Sequence, residues 1–133
     1  MKIPSDIKHV RKASAEIENY LRSKKIDESI IFDIRLSVEE AIKNAILHGN
    51  KGQKDLSVLV SYLLNGKEFT VEVEDAGSGF APAGLPDPTK DENLAKAGGR
   101  GVFIMQKLMD ETKYNARGNK VSMLKYVKSK GGR

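Results

Sequence analysis

Apolar positions along the chain follow a helical period first, then a strand period, then both in turn. Val10, Ala13, Ile17, Tyr20 and Leu21 recur three and four residues apart, which predicts an amphipathic helix over Ser5 to Lys24 with Ser5 or Asp6 as its cap. Asp27 caps a second predicted helix, whose apolar positions are Ile30, Ile31, Ile34, Val38, Ala41, Ile42 and Ala45. It runs to about His48 and stops at Gly49-Asn50, with Gly52 beyond. Leu56 to Leu64 and Phe69 to Glu74 read as strands, the second alternating Phe69, Val71, Val73 against Thr70, Glu72, Glu74. Asn65-Gly66 between them is a hairpin signal. A third helix is expected over Gly101 to Met109, with Val102, Met105, Leu108 and Met109 apolar. Strands follow over Thr112 to Asn115 and Lys120 to Val127, joined through Arg117-Gly118-Asn119. The fold class expected is an α+β two-layer sandwich: a mixed, largely antiparallel sheet with helices on one face.

Ala81 to Gly101 fits neither period. It holds Pro82, Gly84, Pro86, Pro88, Gly98, Gly99 and Gly101, and structureless stretches longer than roughly 12–15 residues in small domains are often functional.

Composition narrows the picture only modestly. The 133 residues fit a single domain, 1–133, large enough to bury a core without staples. Cysteine is absent, which excludes disulfides, thiolate metal sites and a cysteine nucleophile and fits an intracellular home. No apolar run reaches the length of a membrane span, and no long apolar segment follows the first residues, so neither membrane insertion nor a secretory signal is expected. The 23 basic and 18 acidic residues leave a net charge of +5, and Lys125, Lys128, Lys130 and Arg133 place part of that surplus at the end of the chain. Aromatic residues make up only 6% and do not interleave with the basic stretches, which argues against direct nucleic-acid binding and for a solvated basic surface that suits anionic ligands.

Three segments carry candidate chemistry. In the second helix, Glu40, Asn44 and His48 fall four residues apart on one stripe. Such a stripe is also what any solvated helix face presents. A carboxylate one turn from an amide oxygen nevertheless suits Mg²⁺ and a proton acceptor: the Asn44 carbonyl is a hard neutral ligand, and Glu40 can act as a general base. His48, near the helix C-terminus, fits capping or packing better than catalysis. The second segment is a strand running into Asp75-Ala76-Gly77-Ser78-Gly79, where an acidic acceptor beside glycines can bind the exocyclic amine of adenine; an ordinary Asp-Gly turn has the same composition. The third is Gly98-Gly99-Arg100-Gly101-Val102, glycines leading into a helix start whose free N–H groups suit a phosphate, although it is not a Walker A sequence. Arg100 can assist a phosphate or sit in solvent.

In this order, Glu40-Ala41-Ile42-Lys43-Asn44-Ala45, Asp75-Ala76-Gly77-Ser78-Gly79 and Gly99-Arg100-Gly101 resemble the N, G1 and G2 boxes of the GHKL ATPase superfamily, which shares the Bergerat fold of histidine-kinase-type ATPases. Gly118-Asn119-Lys120-Val121 looks like the G3 turn, with Asn119 where the family often has Thr. The chain departs from the family in its first strand, since only Met1-Lys2-Ile3 precede the first helix. Within the superfamily it is most similar to the bacterial anti-sigma-factor serine kinases, through Glu40-Ala41-x-x-Asn44-Ala45-x-x-His48-Gly49 and the run from Gly99 to Glu111. The resemblance covers nearly the whole chain.

It implies an ATP-dependent protein serine/threonine kinase of the bacterial cytoplasm with ATP and Mg²⁺ as cofactors. Asn44 would coordinate Mg²⁺, Asp75 would bind adenine, Gly77 and Gly79 would shape its pocket, and Gly98, Gly99, Arg100, Gly101 and Val102 would meet the phosphates. Residues from about 81 to 101 would form an ATP lid, and Glu40, rather than its neighbour Glu39, would be the base because it is in register with Asn44. The implied acceptor is a STAS-domain anti-anti-sigma factor, whose phosphorylation frees the kinase to hold a sigma factor; members of the family often form homodimers. Two other readings compete. One is an ATP-binding regulatory module that sequesters a partner without useful catalysis, for which Asn44 is needed but Glu40 is not. The other is a histidine-kinase-like catalytic domain, for which the chain shows no dimerisation hairpin or phosphoacceptor segment.

Overall fold

The computed structural model describes residues 1–77 and 99–128. Lys2–Pro4 form a short edge strand, β1, which supplies the first strand that the sequence under-represents. Ile3 is buried, and the amino group of Met1 donates to the carbonyl of Val60 at 2.6 Å. The predicted first helix opens as a 3₁₀ turn, Ile7–His9, before α1, Val10–Ser23. Asp6 is its cap, accepting from the Lys8 N–H at 3.1 Å. Ser5 is not: it is buried, and its hydroxyl donates to the Leu56 carbonyl at 2.6 Å.

α1 ends with a pair of bonds, from the Ile26 N–H to the Leu21 carbonyl and from the Lys25 N–H to the Arg22 carbonyl. This pairing requires a left-handed residue, and Lys25 adopts φ +59 there without being glycine. Asp27 caps α2, Glu28–Asn44, accepting from both the N–H and the hydroxyl of Ser29, which hold its pKa below the ordinary value. α2 does not continue as an α-helix to His48. Ala45–Gly49 widen into a π turn, closed by the Asn50 N–H on the Ala45 carbonyl at 2.8 Å.

β2, Ser57–Asn65, and β3, Glu68–Glu74, form the predicted hairpin, with the two-residue loop one position later, at Gly66-Lys67. Gly66 supplies the left-handed φ of +62 that so tight a turn requires. α3, Gly99–Leu108, precedes β4, Glu111–Tyr114, and β5, Lys120–Tyr126. The strand order is β1-β2-β3-β5-β4 and every neighbouring pair is antiparallel, so the sheet is not mixed. Register aligns Val60, Val73, Val121 and Tyr114 in one row and Tyr62, Val71, Met123 and Thr112 in the next. These rows face the helices and pack on Ile17 and Leu21 of α1, Ile34, Val38 and Ile42 of α2, and Met105 of α3, in one continuous core. Among the described residues no helix is long and apolar enough to cross a membrane.

Candidate functional site

The end of α2 and the start of α3 meet edge to edge. A Cβ at Gly101 would lie 2.8 Å from Glu40 Oε2, 3.0 Å from Asn44 Nδ2 and 3.5 Å from Asn44 Oδ1. Both side chains therefore converge on the first turn of α3, where only a glycine leaves their ends undisturbed. That turn presents the N–H groups of Gly99 to Val102, which have no partner within the helix. Val102 itself is buried in the core, so only its backbone is available to a ligand, while Arg100 is exposed. The stripe expected to include His48 ends at Asn44, where the α register gives way to the π turn, and His48 is exposed.

Glu39 and Glu40 are adjacent in sequence and separated in role. Glu39 accepts from the Ser14 hydroxyl at 2.6 Å and pairs with Arg35 at 3.4 Å and Arg11 at 3.8 Å. Glu18, buried on α1, joins the same network through Arg11, through Arg22 at 3.3 Å and through Arg35 at 3.8 Å. Five charged side chains and a hydroxyl thus rivet α1 to α2, as burying Glu18 requires. Glu40 instead faces Gly101 of α3 and is paired with Lys43 at 2.9 Å.

The second cluster sits where β3 ends. Asp75 Oδ1 accepts from the Gly77 N–H at 2.8 Å. The carboxylate lies on Gly49, where a Cβ would fall 2.2 Å from Asp75 Cγ and Oδ2, and a Cβ at Gly77 would fall 2.0 Å from the Gly49 carbonyl oxygen. The π turn brings Gly49 to Asp75, and two glycines make the approach possible. Asn119 brackets the backbone of Asp75: its carbonyl accepts from the Asp75 N–H at 2.8 Å and its Nδ2 donates to the Asp75 carbonyl at 3.0 Å. Asn119 thus keeps this turn fastened to β3. Arg117 adds a bond to the Gly77 carbonyl at 3.1 Å.

Burial raises the Asp75 pKa, a like charge at Glu74 pushes the same way, and the Gly77 N–H and Arg117 oppose them without cancelling the shift. The sign of the pH dependence follows. Below the ordinary value of 3.8 the carboxyl is protonated in both the folded and the unfolded chain. As pH rises the unfolded chain releases its proton first, so this group disfavours folding increasingly until the folded carboxyl has also ionised. Asp75→Asn should therefore gain stability over wild type as pH is raised from below 3.8 toward neutrality, modestly because the group is only half buried. Thermal unfolding of the two proteins across that range checks it, and a difference that shrinks with rising pH would refute it.

Asn50 is the residue that sequence reasoning passed over. It is 1% exposed; its Nδ2 donates to Ser5 Oγ at 2.8 Å and to the Ser57 carbonyl at 3.1 Å, and its Oδ1 accepts from the Ala76 N–H at 2.8 Å. It joins the chain after β1, the start of β2 and the turn after Asp75. Asn50→Ala strands these buried groups and should cost on the order of 3 kcal/mol, read as a lower urea midpoint at unchanged slope. The only sequence signal for it is a polar residue directly after the helix-stopping Gly49. Gly79 and Gly98 lie outside the described residues, as does most of the expected lid; Gly99–Gly101, reckoned part of that lid, form the first turn of α3. Met105 and Met109 are core residues.

A carboxylate and an amide thus converge on a glycine helix start, and a second carboxylate is seated on glycines at the end of β3. Residues 3–125 match the model of the histidine kinase-like ATPase domain, and the chain belongs to that family. The serine-protein kinase RsbW of Listeria monocytogenes is 35% identical over 107 residues, covering 75% of this chain and 68% of that protein. The serine-protein kinase RsbW of Staphylococcus aureus is 28% identical over 137 aligned positions, covering 96% of this chain and 86% of that protein. The fold is shared with the histidine kinase domain from the Erythrobacter litoralis EL346 blue-light activated histidine kinase, at a TM-score of 0.51 and 21% identity over 71% of this chain and 42% of that one.

Proposed function

We propose that this chain is an ATP-dependent protein serine/threonine kinase and anti-sigma factor of the bacterial cytoplasm, which phosphorylates a STAS-domain antagonist and exchanges it for a sigma factor. The observation that carries the catalytic part is the convergence of Glu40 Oε2 and the Asn44 amide on Gly101. A module that only binds ATP has use for the amide but none for a carboxylate aimed at the same place. The relatives named serine-protein kinase support the same reading.

Asp75, seated on Gly49 and Gly77, would accept from the adenine amine, and Gly79 is assigned to the same pocket from its sequence motif. The N–H groups from Gly98 to Val102, with Arg100, would receive the phosphates. Among the described residues no three His, Cys, Asp or Glu side chains cluster, so a metal would draw on the Asn44 carbonyl together with phosphate and water oxygens. Such an oxygen set, beside a cradle that a single Cβ would fill, fits Mg²⁺. When bound, Mg²⁺ supplies neutralisation of phosphate charge. In the transfer itself the acceptor hydroxyl oxygen bonds to the γ-phosphorus, the bond to the β,γ-bridging oxygen breaks, ADP leaves, and the hydroxyl proton passes to Glu40 Oε2.

Incubation of the protein with γ-labelled ATP and STAS-domain proteins of the same genome tests the reading. Label on one serine or threonine of one of them is the expected result. ATP binding with no transfer to any would replace the kinase with a binding switch.

A further inference from the structure

We propose that Lys43 is a positioning residue for phosphoryl transfer, holding one oxygen of Glu40 so that the other faces the start of α3; the proposal rests on the kinase reading above. The two carboxylate oxygens are in different situations. Oε1 is paired with Lys43 Nζ at 2.9 Å, and Oε2 is the atom 2.8 Å from the Cβ position of Gly101. A free glutamate at the edge of a helix samples several rotamers, and a base that must meet a hydroxyl in line with a γ-phosphate loses rate with each unproductive one. The i,i+3 spacing lets Lys43 hold Glu40 from within the same helix, with the glutamate on the N-terminal side.

Charge gives a second reason. Bringing a triphosphate to α3 places several negative charges beside an ionised carboxylate, and the Lys43 ammonium offsets that repulsion where it is felt. On α1 and α2, Arg11 and Arg35 are engaged with Glu18 and Glu39 across the seam, and Arg100, at the start of α3, is on the phosphate side rather than on Glu40 Oε1. The Lys43 side chain is 40% exposed, and an exposed pair of this kind adds little to stability. Its loss should therefore leave folding alone and register in the reaction.

The test is a double-mutant cycle in the full chain, with Lys43→Met, Lys43→Arg, Glu40→Gln and Glu40→Gln/Lys43→Met. It reads transfer to the STAS-domain acceptor together with ATP affinity and urea midpoint. Lys43→Met should lower kcat about tenfold with KM for ATP within about twofold, and Lys43→Arg should recover most of that loss. In the Glu40→Gln background the same lysine substitution should cost nothing further. A wild-type kcat in Lys43→Met, or an equal loss in both backgrounds, would overturn the role of Lys43 while leaving the kinase reading intact. A wild-type rate in Glu40→Gln would remove Glu40 as the base and the role of Lys43 with it, whereas no transfer by the wild-type protein to any acceptor would overturn the kinase reading itself.

Discussion

Asn44→Ala should lower Mg²⁺-dependent ATP affinity by about 100-fold or more, the loss expected when a group that completes a metal–phosphate site is removed. The substitution is mild in every other respect. Asn44 is the last residue of α2, it is only partly buried, and alanine is the best helix former available. Its amide faces the first turn of α3. The unfolding free energy from urea titration should stay within about 0.5 kcal/mol of wild type, which separates a lost ligand from a lost fold. Calorimetric titration of ATP with and without Mg²⁺ measures the effect. Unchanged affinity in the presence of Mg²⁺ would remove Asn44 from the site and with it the main argument for where the phosphates lie.

The parts of the site legible in sequence are those that depend on local spacing. Glu40 and Asn44 are four residues apart on a helix, and a helix puts them in line whatever surrounds it. Asp75 at a strand end and the glycines that open α3 are likewise read from immediate neighbours. What was not legible depends on contacts between distant segments. Asn50 looks like a loop residue, and nothing local says that it will tie Ser5, Ser57 and Ala76 together in a buried position. Gly49 reads as a helix stop; its second use, as the seat of the Asp75 carboxylate, arises because the π turn carries it across to β3. The same turn explains why the predicted helix overran its true end. Hydrophobic spacing does not distinguish a last α turn from a π turn, since Ala45 and Ile46 are buried either way.

The choice between Glu39 and Glu40 shows how sequence and structure divide the work. Register with Asn44 favours Glu40, but register alone does not say what Glu39 is for. The α1–α2 seam does, because Ser14, Arg11 and Arg35 consume the carboxylate of Glu39. One glutamate holds the helix at a fixed rotation, and the next is thereby presented to α3.

Glu40→Gln should leave ATP binding nearly intact and reduce phosphoryl transfer by about 100-fold or more, the range a positioned general base contributes. Glutamine has the same shape and keeps a polar atom near Gly101 and Lys43, so the site is not emptied; what is lost is the capacity to take a proton. A group that acts only in the transition state changes kcat and kcat/KM together and leaves substrate affinity alone. That signature distinguishes this variant from Asn44→Ala, in which affinity itself falls. The two carboxylate neighbours supply the control: Glu39→Gln should weaken the α1–α2 seam and lower the urea midpoint, with a far smaller effect on the rate per folded molecule. Single-turnover transfer at saturating Mg²⁺–ATP measures the chemical step directly. A Glu40→Gln protein that transfers phosphate at the wild-type rate would mean that the acceptor hydroxyl attacks the γ-phosphorus without a protein base, and that the carboxylate facing α3 serves binding alone.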